Sequence, residues 1–249
     1  MRNCGIGSPA QFFEYLSKLK IKNLYVQLGE ESSNFLLNKS ELEKIKNAKE
    51  ENNLEIAIHH PEIDIMNKDF EKYYKKILTA LETLNSKYLV VHFPKTEVCE
   101  DETIVKKLGV VRNFNLCLEN TQGGYYSDIS NILNFIKKNP DFCITLDVGH
   151  LNVALGGDIY KFLIAARKLD ENKDKVRILH VHLNDGEKDL HYPVYPHRKG
   201  QLNPFYFAVK EIIKDFIHYA LIIEESHPRD EFDLKNMINC LHLIYYENL

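Results

Sequence analysis

The sequence has no apolar run long enough to cross a bilayer, and it has little that marks a secreted protein. No stretch of 18 consecutive apolar residues occurs in its 249 residues, so we expect no membrane span. The opening residues, MRNCGIGSPAQFF, lack the apolar segment of a secretory signal. The five cysteines form no Cys-x-x-Cys pair, and an odd number cannot pair completely within the chain. We therefore expect reduced thiols and a cytoplasmic location.

Two further absences exclude or disfavour other classes of protein. An open, doubly wound sheet is the second candidate for the fold, but it needs a Gly-x-Gly-x-x-Gly loop after a strand, and the chain has none. The glycine pairs at 123–124 and 156–157 are too short to be that motif. The net charge of −4 argues mildly against a nucleic-acid partner.

Short apolar runs alternate along the chain with amphipathic segments whose apolar residues recur every three or four positions, as in helices packed on a sheet. The runs occupy residues 2–7, 23–29, 54–60, 88–94, 115–120, 142–150, 177–185 and 220–225. Eight such strand–helix units predict an α/β protein with the (β/α)8 TIM-barrel architecture. No linker or low-complexity tract interrupts the series, so we expect a single domain over residues 1–249.

Most of the predicted strands end in a histidine or a carboxylate. The residues are His59, His92, Glu119, Asp147 with His150 just beyond it, His182 and Glu224. In a closed parallel barrel the carboxyl ends of all strands meet at one mouth, where such barrels carry their chemistry. Imidazole and carboxylate ligands together suit zinc, manganese, cobalt or ferrous iron. The pattern therefore predicts a divalent metal site.

Each of these residues also has a simpler interpretation. A single histidine near a strand end is more often a hydrogen-bonded structural residue than a ligand. An ionised carboxylate flanked by apolar residues needs a partner, and a salt bridge is the alternative to a metal. Strand alternation places His60 opposite His59, while His180 lies deeper than His182, where we expect a core histidine. Glu224 is preferred over its neighbour Glu225.

A long loop follows the seventh predicted strand and reads DGEKDLHYPVYPHRKGQLN. One interpretation is a solvated, mobile loop. The functional interpretation gives Asp189 and His191, a D-x-H pair, to a further metal, and Lys188 or Arg198 to a substrate oxyanion or phosphate.

The motifs at these strand ends resemble those of the xylose isomerase-like TIM barrels, which include sugar-phosphate isomerases and epimerases and endonuclease IV. The matching stretches are IHHP (58–61), VVHFP (90–94), LCLENTQGG (116–124), LDVGH (146–150), HVHLND (180–185) and IIEE (222–225). The resemblance implies one core divalent ion, zinc, manganese or cobalt, held by Glu119, Asp147, His182 and Glu224. In the endonuclease branch two more ions use His59 and His92 with Glu119, and His150 with Asp189 and His191. The resemblance thus implies one ion, and up to three.

By resemblance to the epimerases, the first hypothesis is a metal-dependent isomerase or epimerase of a small sugar or sugar phosphate. Glu119 and Glu224 would exchange a substrate proton from opposite faces. His150 and Lys188 would stabilise the enediolate oxygen.

Two other hypotheses stay open: an endonuclease IV-like zinc phosphodiesterase acting on abasic-site DNA, and a non-catalytic sugar- or metal-binding barrel. DNA is the less favoured partner because the loops GEESSN (29–34) and KTEVCEDE (95–102) are acidic, whereas phosphate binding requires Lys and Arg. The oligomeric state is not predicted.

Overall fold

The computed structural model describes residues 25–28, 38–109, 113–198 and 201–224, together with residues 236 and 239. The first predicted strand, residues 2–7, lies outside these residues. Among the described helices, none is long and apolar enough to cross a membrane.

Within the described residues, seven parallel strands form one sheet and follow one another around it in chain order. They are β1 (Tyr25–Leu28), β2 (Glu55–His59), β3 (Tyr88–His92), β4 (Asn115–Glu119), β5 (Cys143–Asp147), β6 (Val176–Val181) and β9 (Leu221–Glu224). A short antiparallel pair, β7 (His197–Arg198) and β8 (Gln201–Leu202), lies between β6 and β9 in the sequence. Because β1 also lies beside β9, the sheet is a nearly closed barrel, and the predicted TIM barrel is confirmed.

Seven α-helices surround the strands. They are α1 (Lys39–Asn52), α2 (Phe70–Leu84), α3 (Asp101–Leu108), α4 (Ile129–Lys138), α5 (Val148–Ala154), α6 (Ile159–Arg167) and α7 (Pro204–Phe216) within the described residues. Short 3-10 helices occupy Tyr125–Ser127 and Asp170–Lys175. Asn38, Asp128 and Asn203 begin their helices by accepting a hydrogen bond from a first-turn backbone N–H. The chain reverses after α1 and α2 at Asn53 and Asn85, which adopt the left-handed conformation.

Strand alternation divides the buried residues between two layers. Side chains such as Ile58, Leu118 and Leu146 point outwards and join the large core beneath the helices. The alternate positions point into the barrel, where a small apolar group forms its floor: Ala57, Val90, Cys117, Cys143, Ile178 and Ile223.

The inward positions nearer the carboxyl ends of the strands are polar. Two residues beyond the floor, β2, β3, β4 and β6 carry His59, His92, Glu119 and His180 respectively. On β5, Thr145 and then Asp147 follow Cys143, and strand register pairs His92 with Glu119 and Asp147 with His180. The upper half of the barrel interior is thus lined by imidazoles and carboxylates rather than by the aliphatic layers that fill an ordinary barrel.

An aromatic cluster joins the barrel wall to α4 and gives the fold a direct stability test. Phe135 is fully buried, and its ring meets those of Phe93 at 5.3 Å and Phe142 at 5.4 Å. We predict that Phe135→Ala lowers the free energy of unfolding by roughly 3–5 kcal/mol, because it removes these contacts and leaves a cavity. Urea unfolding measures the change. The control Val98→Ala, at a position 58% exposed, should change it by less than about 0.5 kcal/mol. Equal effects of the two variants would contradict the assignment of Phe135 to the core.

Candidate metal centre

The carboxylate of Glu119, at the end of β4, lies among four imidazoles. Its Oε2 is 2.8 Å from Nε2 of His59. Its Oε1 is 3.3 Å from Nδ1 of His180 and 3.4 Å from both Nε2 of His92 and Nδ1 of His150. Glu119 is fully buried. Three strands, β2, β3 and β6, and the helix α5 therefore supply nitrogen atoms to one carboxylate on β4.

Charge, not burial, decides the ionisation of Glu119. Burial alone would raise the pKa of Glu119, but the facing His180 and His92 imidazoles outweigh it and hold the pKa well below its ordinary value. The buried carboxylate is thus ionised at neutral pH and requires positive charge nearby.

Asp147 ends β5 and is held from several sides. Both of its carboxylate oxygens lie 3.2 Å from Nε2 of His182, and Oδ1 accepts the backbone N–H of His150 at 2.6 Å, which begins α5. The side chain of Asn120 clamps the Asp147 backbone: Oδ1 accepts its N–H at 2.7 Å, and Nδ2 donates to its carbonyl at 3.0 Å. Burial opposes ionisation, but His150 and His182 lower the pKa of Asp147 to about 2.

The D-x-H pair points into the same region. Oδ2 of Asp189 is 3.0 Å from Nε2 of His191 and 3.2 Å from Nε2 of His150, and Oδ1 is 3.5 Å from Nδ1 of His182. The rings of His182 and His191 stack with centroids 4.2 Å apart. Gln122 also donates to Oδ2 of Asp189 at 2.9 Å. The structure therefore places this pair against the barrel mouth, not in a solvated loop.

The hydrogen bonds of two histidines indicate which ring nitrogen is available to a metal. Nδ1 of His59 lies 2.7 Å from the carbonyl of His60, so it carries the proton and leaves the lone pair of Nε2 facing Glu119. Nδ1 of His150 likewise donates to the carbonyl of Asn120 at 2.9 Å and leaves Nε2 facing Asp189. A backbone carbonyl that fixes the imidazole tautomer is the arrangement found behind metal-bound histidines.

In both cases the Nε2 atom faces a carboxylate oxygen, a contact that requires either a proton on that nitrogen or a cation between the two groups. The pKa of His150 indicates the same demand. Burial opposes its protonation, but Asp147, Asp189 and Glu119 together raise its pKa well above the ordinary value. Oε1 of Glu119 accepts no hydrogen bond from any described residue. A divalent ion would satisfy these groups, and the residues therefore fit a metal.

The possible ligand atoms form three groups, in each of which the atoms lie within 4.8 Å of one another. The groups are His59–Glu119–His180, His92–Glu119–His150 and His182–Asp189–His191. Because the first two share Glu119 and His150 also contacts Asp189, the groups form one continuous centre.

Three predicted functional residues are not placed in this cluster. Lys188 is exposed, and its backbone N–H donates to Asp185 at 3.0 Å, so the structure gives it no position among the buried donors. Glu224 ends β9 in register with Val181, but its side chain lies outside the described part of the structure, as does that of Arg198. Glu225 lies outside the described residues.

The sequence analysis missed His180 and the role of two asparagines. His180 is fully buried, as a core histidine would be, but its Nδ1 faces Glu119 while its Nε2 donates to Oε1 of Gln27 at 2.9 Å. The strand register, which places His180 beside Asp147 in the sheet, is the feature that would have assigned His180 to the site. The two asparagines, Asn120 and Asn184, entered the sequence analysis only as parts of the LEN and HLND motifs, with no role assigned to them.

Asn184 of the HLND motif fixes α5 against the D-x-H loop. Its Nδ2 donates to the carbonyl of Gly149 at 2.9 Å, and its Oδ1 accepts from Asn152 at 2.7 Å. Gly149 must be glycine here because a Cβ at this position would overlap the imidazole of His182. The LDVGH and HLND motifs are therefore packed directly against each other.

This close approach can be tested with a pair of glycine variants. We predict that Gly149→Ala displaces the His182 ring and reduces zinc affinity by about 10-fold or more, as loss of ligand-orienting groups does. Gly123→Ala is the matched control, because an added Cβ meets nothing within 4 Å there. Competition with a chromophoric chelator measures the affinities. Equal zinc affinity in the two variants would contradict the packing described for His182.

His180 provides a second test. We predict that His180→Leu lowers zinc affinity about 10- to 100-fold, because it removes the nitrogen that faces Oε1 of Glu119. Gln27→Leu, which removes only the partner of Nε2, should have a smaller effect. His218→Ala, at an exposed histidine, is the control and should leave zinc binding unchanged. If His180→Leu binds zinc as tightly as this control, His180 is a core residue without a part in the centre.

Comparison with known proteins bears on the fold that carries these residues. The family model described as "Xylose isomerase-like TIM barrel" matches residues 23–236. An uncharacterised protein of Methanocaldococcus jannaschii, MJ0008, is 29% identical over 107 residues, which cover 41% of this chain and 48% of that protein. The chain thus matches about half the length of this curated relative.

Two solved structures have the same fold at low sequence identity. A D-tagatose 3-epimerase-like protein superposes with a TM-score of 0.69 at 17% identity, covering 98% of this chain and 95% of the other. An AP endonuclease of family 2 from Brucella melitensis gives a TM-score of 0.62 at 11% identity, with 95% of each chain covered. At these identities the likeness is one of fold alone.

Proposed function

Because the chain belongs to the xylose isomerase-like TIM barrel family, we propose that it is a hydrolase of phosphate esters that uses two or three zinc ions. The fold alone does not decide between the activities found on it, so the argument comes from the site. The observation that carries the proposal is the inward D-x-H pair, with Asp189 3.2 Å from His150 and 3.0 Å from His191.

The isomerase hypothesis takes one ion, whereas this centre offers donors for more. Two of the three ligand groups share Glu119, and the third is linked to them by the contact of Asp189 with His150. Centres with ions about 3.5–4 Å apart are used for displacement at phosphorus. Imidazole and carboxylate donors without cysteine suit zinc or manganese. Bound ions would supply positive charge to the phosphoryl oxygens and lower the pKa of a water molecule.

The residues of the chain would hold and orient this chemistry. Glu119 would be a ligand common to the first two groups, because His59 faces its Oε2 and His92 faces its Oε1. Asp147, clamped by Asn120, would be a further ligand with His182. His150 would use Nε2 toward the ion at Asp189, since its Nδ1 proton is held by the Asn120 carbonyl.

The rim of the barrel favours a small substrate over DNA. The loop after β2 exposes Glu62 and the loop after β3 exposes Glu97. Lys95, also exposed, lies 3.4 Å from Glu62, so part of its charge is already neutralised. This acidic rim repels a polyanion such as DNA, because DNA binding depends on Lys and Arg side chains that neutralise its phosphates. A low-molecular-weight phosphodiester or phosphomonoester is therefore the substrate class we propose.

The isomerase or epimerase remains the second candidate because its core carboxylates lie close together. Nδ1 of His180 is 3.3 Å from Glu119 and 3.9 Å from Asp147, so the two carboxylates flank one imidazole. In that case a single ion would be held by Glu119, Asp147 and His182. Glu119 would move the substrate proton, with His150 beside the enediolate oxygen.

Metal content and turnover distinguish the two candidates. For protein loaded with zinc and desalted, we predict two or three ions per chain and hydrolysis of bis(4-nitrophenyl) phosphate. Asp189→Asn should remove one ion per chain and lower kcat on the order of 100-fold, because it removes a carboxylate that faces three imidazoles.

Asp185→Asn, in the same loop but exposed, is the matched control and should retain both ion content and turnover. One ion per chain, no phosphoester hydrolysis and solvent deuterium incorporated into a ketose would overturn the proposal in favour of the isomerase. Cleavage of abasic-site DNA at comparable efficiency would contradict the proposed substrate size.

A further inference from the structure

The floor of the barrel, at the end opposite the metal centre, contains two cysteines on neighbouring strands. Cys117 on β4 and Cys143 on β5 are direct partners in the strand register, and both side chains belong to the inward-pointing floor group. Cys143 begins β5 and Asp147 ends it, which places them about 13 Å apart along the strand. On β4, Cys117 lies two residues, about 7 Å, before Glu119. The pair therefore belongs to the layer directly below the ligands at the mouth and is not among them.

The geometry of the pair is compatible with a disulfide. Neighbouring strands lie about 4.8 Å apart, and disulfide-linked Cα atoms lie about 4.4–6.8 Å apart. Both thiols are free. The side chain of Asn115 lies beside them, with its Oδ1 3.9 Å from the Cys143 sulfur and its carbonyl 3.8 Å from the Cys117 sulfur.

The two thiols lie in unequal surroundings. A hydrogen bond from Cys117 and the neighbouring Arg177 guanidinium outweigh burial and lower the pKa of Cys143 to about 7. Cys143 therefore has the properties of an attacking thiolate, and the strand register holds the Cys117 sulfur next to it.

The two thiols also differ in exposure. Cys143 is 8% exposed, whereas Cys117 is fully buried. Tyr88 and Leu221, which pack against the same group from β3 and β9, are only partly buried. A small oxidant would thus reach Cys143 before Cys117.

We propose that Cys117 and Cys143 form an oxidisable dithiol site that reacts with hydrogen peroxide to give a reversible disulfide between β4 and β5. The Cys143 thiolate attacks one peroxide oxygen, the O–O bond breaks, and the departing hydroxide takes a proton to form water. Cys143 is left as a sulfenic acid. The Cys117 sulfur then attacks the Cys143 sulfur, the S–O bond breaks, and the leaving hydroxide takes the Cys117 proton as a second water. The two thiols are oxidised by two electrons and the peroxide is reduced by two.

The proposal is independent of the phosphoester chemistry and is tested on the full-length chain. Zinc-loaded protein is treated with hydrogen peroxide, alkylated and digested without reductant. The expected product is a linked pair of peptides containing Cys117 and Cys143, lighter by two hydrogen atoms than the separate peptides and separated again by dithiothreitol. Exposed Cys99 is the internal control for simple accessibility. Oxidation of Cys99 with no linked peptide, or irreversible sulfinic acid at Cys143, overturns the proposal.

Variants of the two cysteines test which one reacts with peroxide and which one then closes the disulfide. In a background with Cys4, Cys99 and Cys240 replaced by serine, oxidation of the Cys117→Ser variant should stop at the Cys143 sulfenic acid, which dimedone traps. Cys143→Ser should not react. Arg177→Gln should shift the pH midpoint of Cys143 alkylation from near 7 toward the ordinary thiol value of about 8.5. Should the serine variants fail to fold, the linked peptide in the unmodified chain still decides the matter. Dimedone labelling of Cys117 instead of Cys143 contradicts the assigned order.

Discussion

The structure depends on neutralising a concentration of negative charge inside the barrel. Glu119 and Asp147 are fully buried, and Asp189 is largely so, yet the pKa of each is held below its ordinary value. Buried carboxylates are strongly unfavourable unless positive charge and hydrogen bonds compensate for the lost water. The surrounding imidazoles supply part of this through His150, whose pKa is raised well above its ordinary value. A divalent cation would complete the balance, since Oε1 of Glu119 accepts no hydrogen bond from any described residue.

Barrel geometry makes this concentration of charge possible. Parallel strands deliver side chains from distant parts of the sequence to one end of the sheet, and alternation directs the intervening residues into the helix-facing core. Asn120 and Asn184 then fix what the strands alone would leave adjustable, since one clamps the Asp147 backbone and the other holds α5 to the next loop. The ligands are thus oriented by hydrogen bonds to main-chain groups, which persist whether or not a metal is bound.

Much of this arrangement could be predicted from the sequence because it follows from periodicity. Apolar runs of strand length predicted the barrel, and a carboxylate at the end of an apolar run such as FCITLD predicted a buried charge in need of a partner. Whether Asp189 and His191 point inward could not be predicted, because a loop has no periodicity and its path depends on contacts such as Leu183 with Tyr192. His180 was assigned to the core since depth in the barrel depends on strand register, which one sequence does not specify. Lys188 was assigned a catalytic role from its place in the loop, but loop position does not determine exposure.

The most direct test of the central claim is anomalous X-ray diffraction from crystals of the zinc-loaded protein, recorded on both sides of the zinc edge. The account predicts at least two peaks inside the mouth, about 3.5–4 Å apart. One peak should lie about 2.0–2.2 Å from Oε2 of Glu119 and Nε2 of His59, and another within the same distance of Asp189 and Nε2 of His150. A single peak away from Asp189, or none within the barrel, would contradict it.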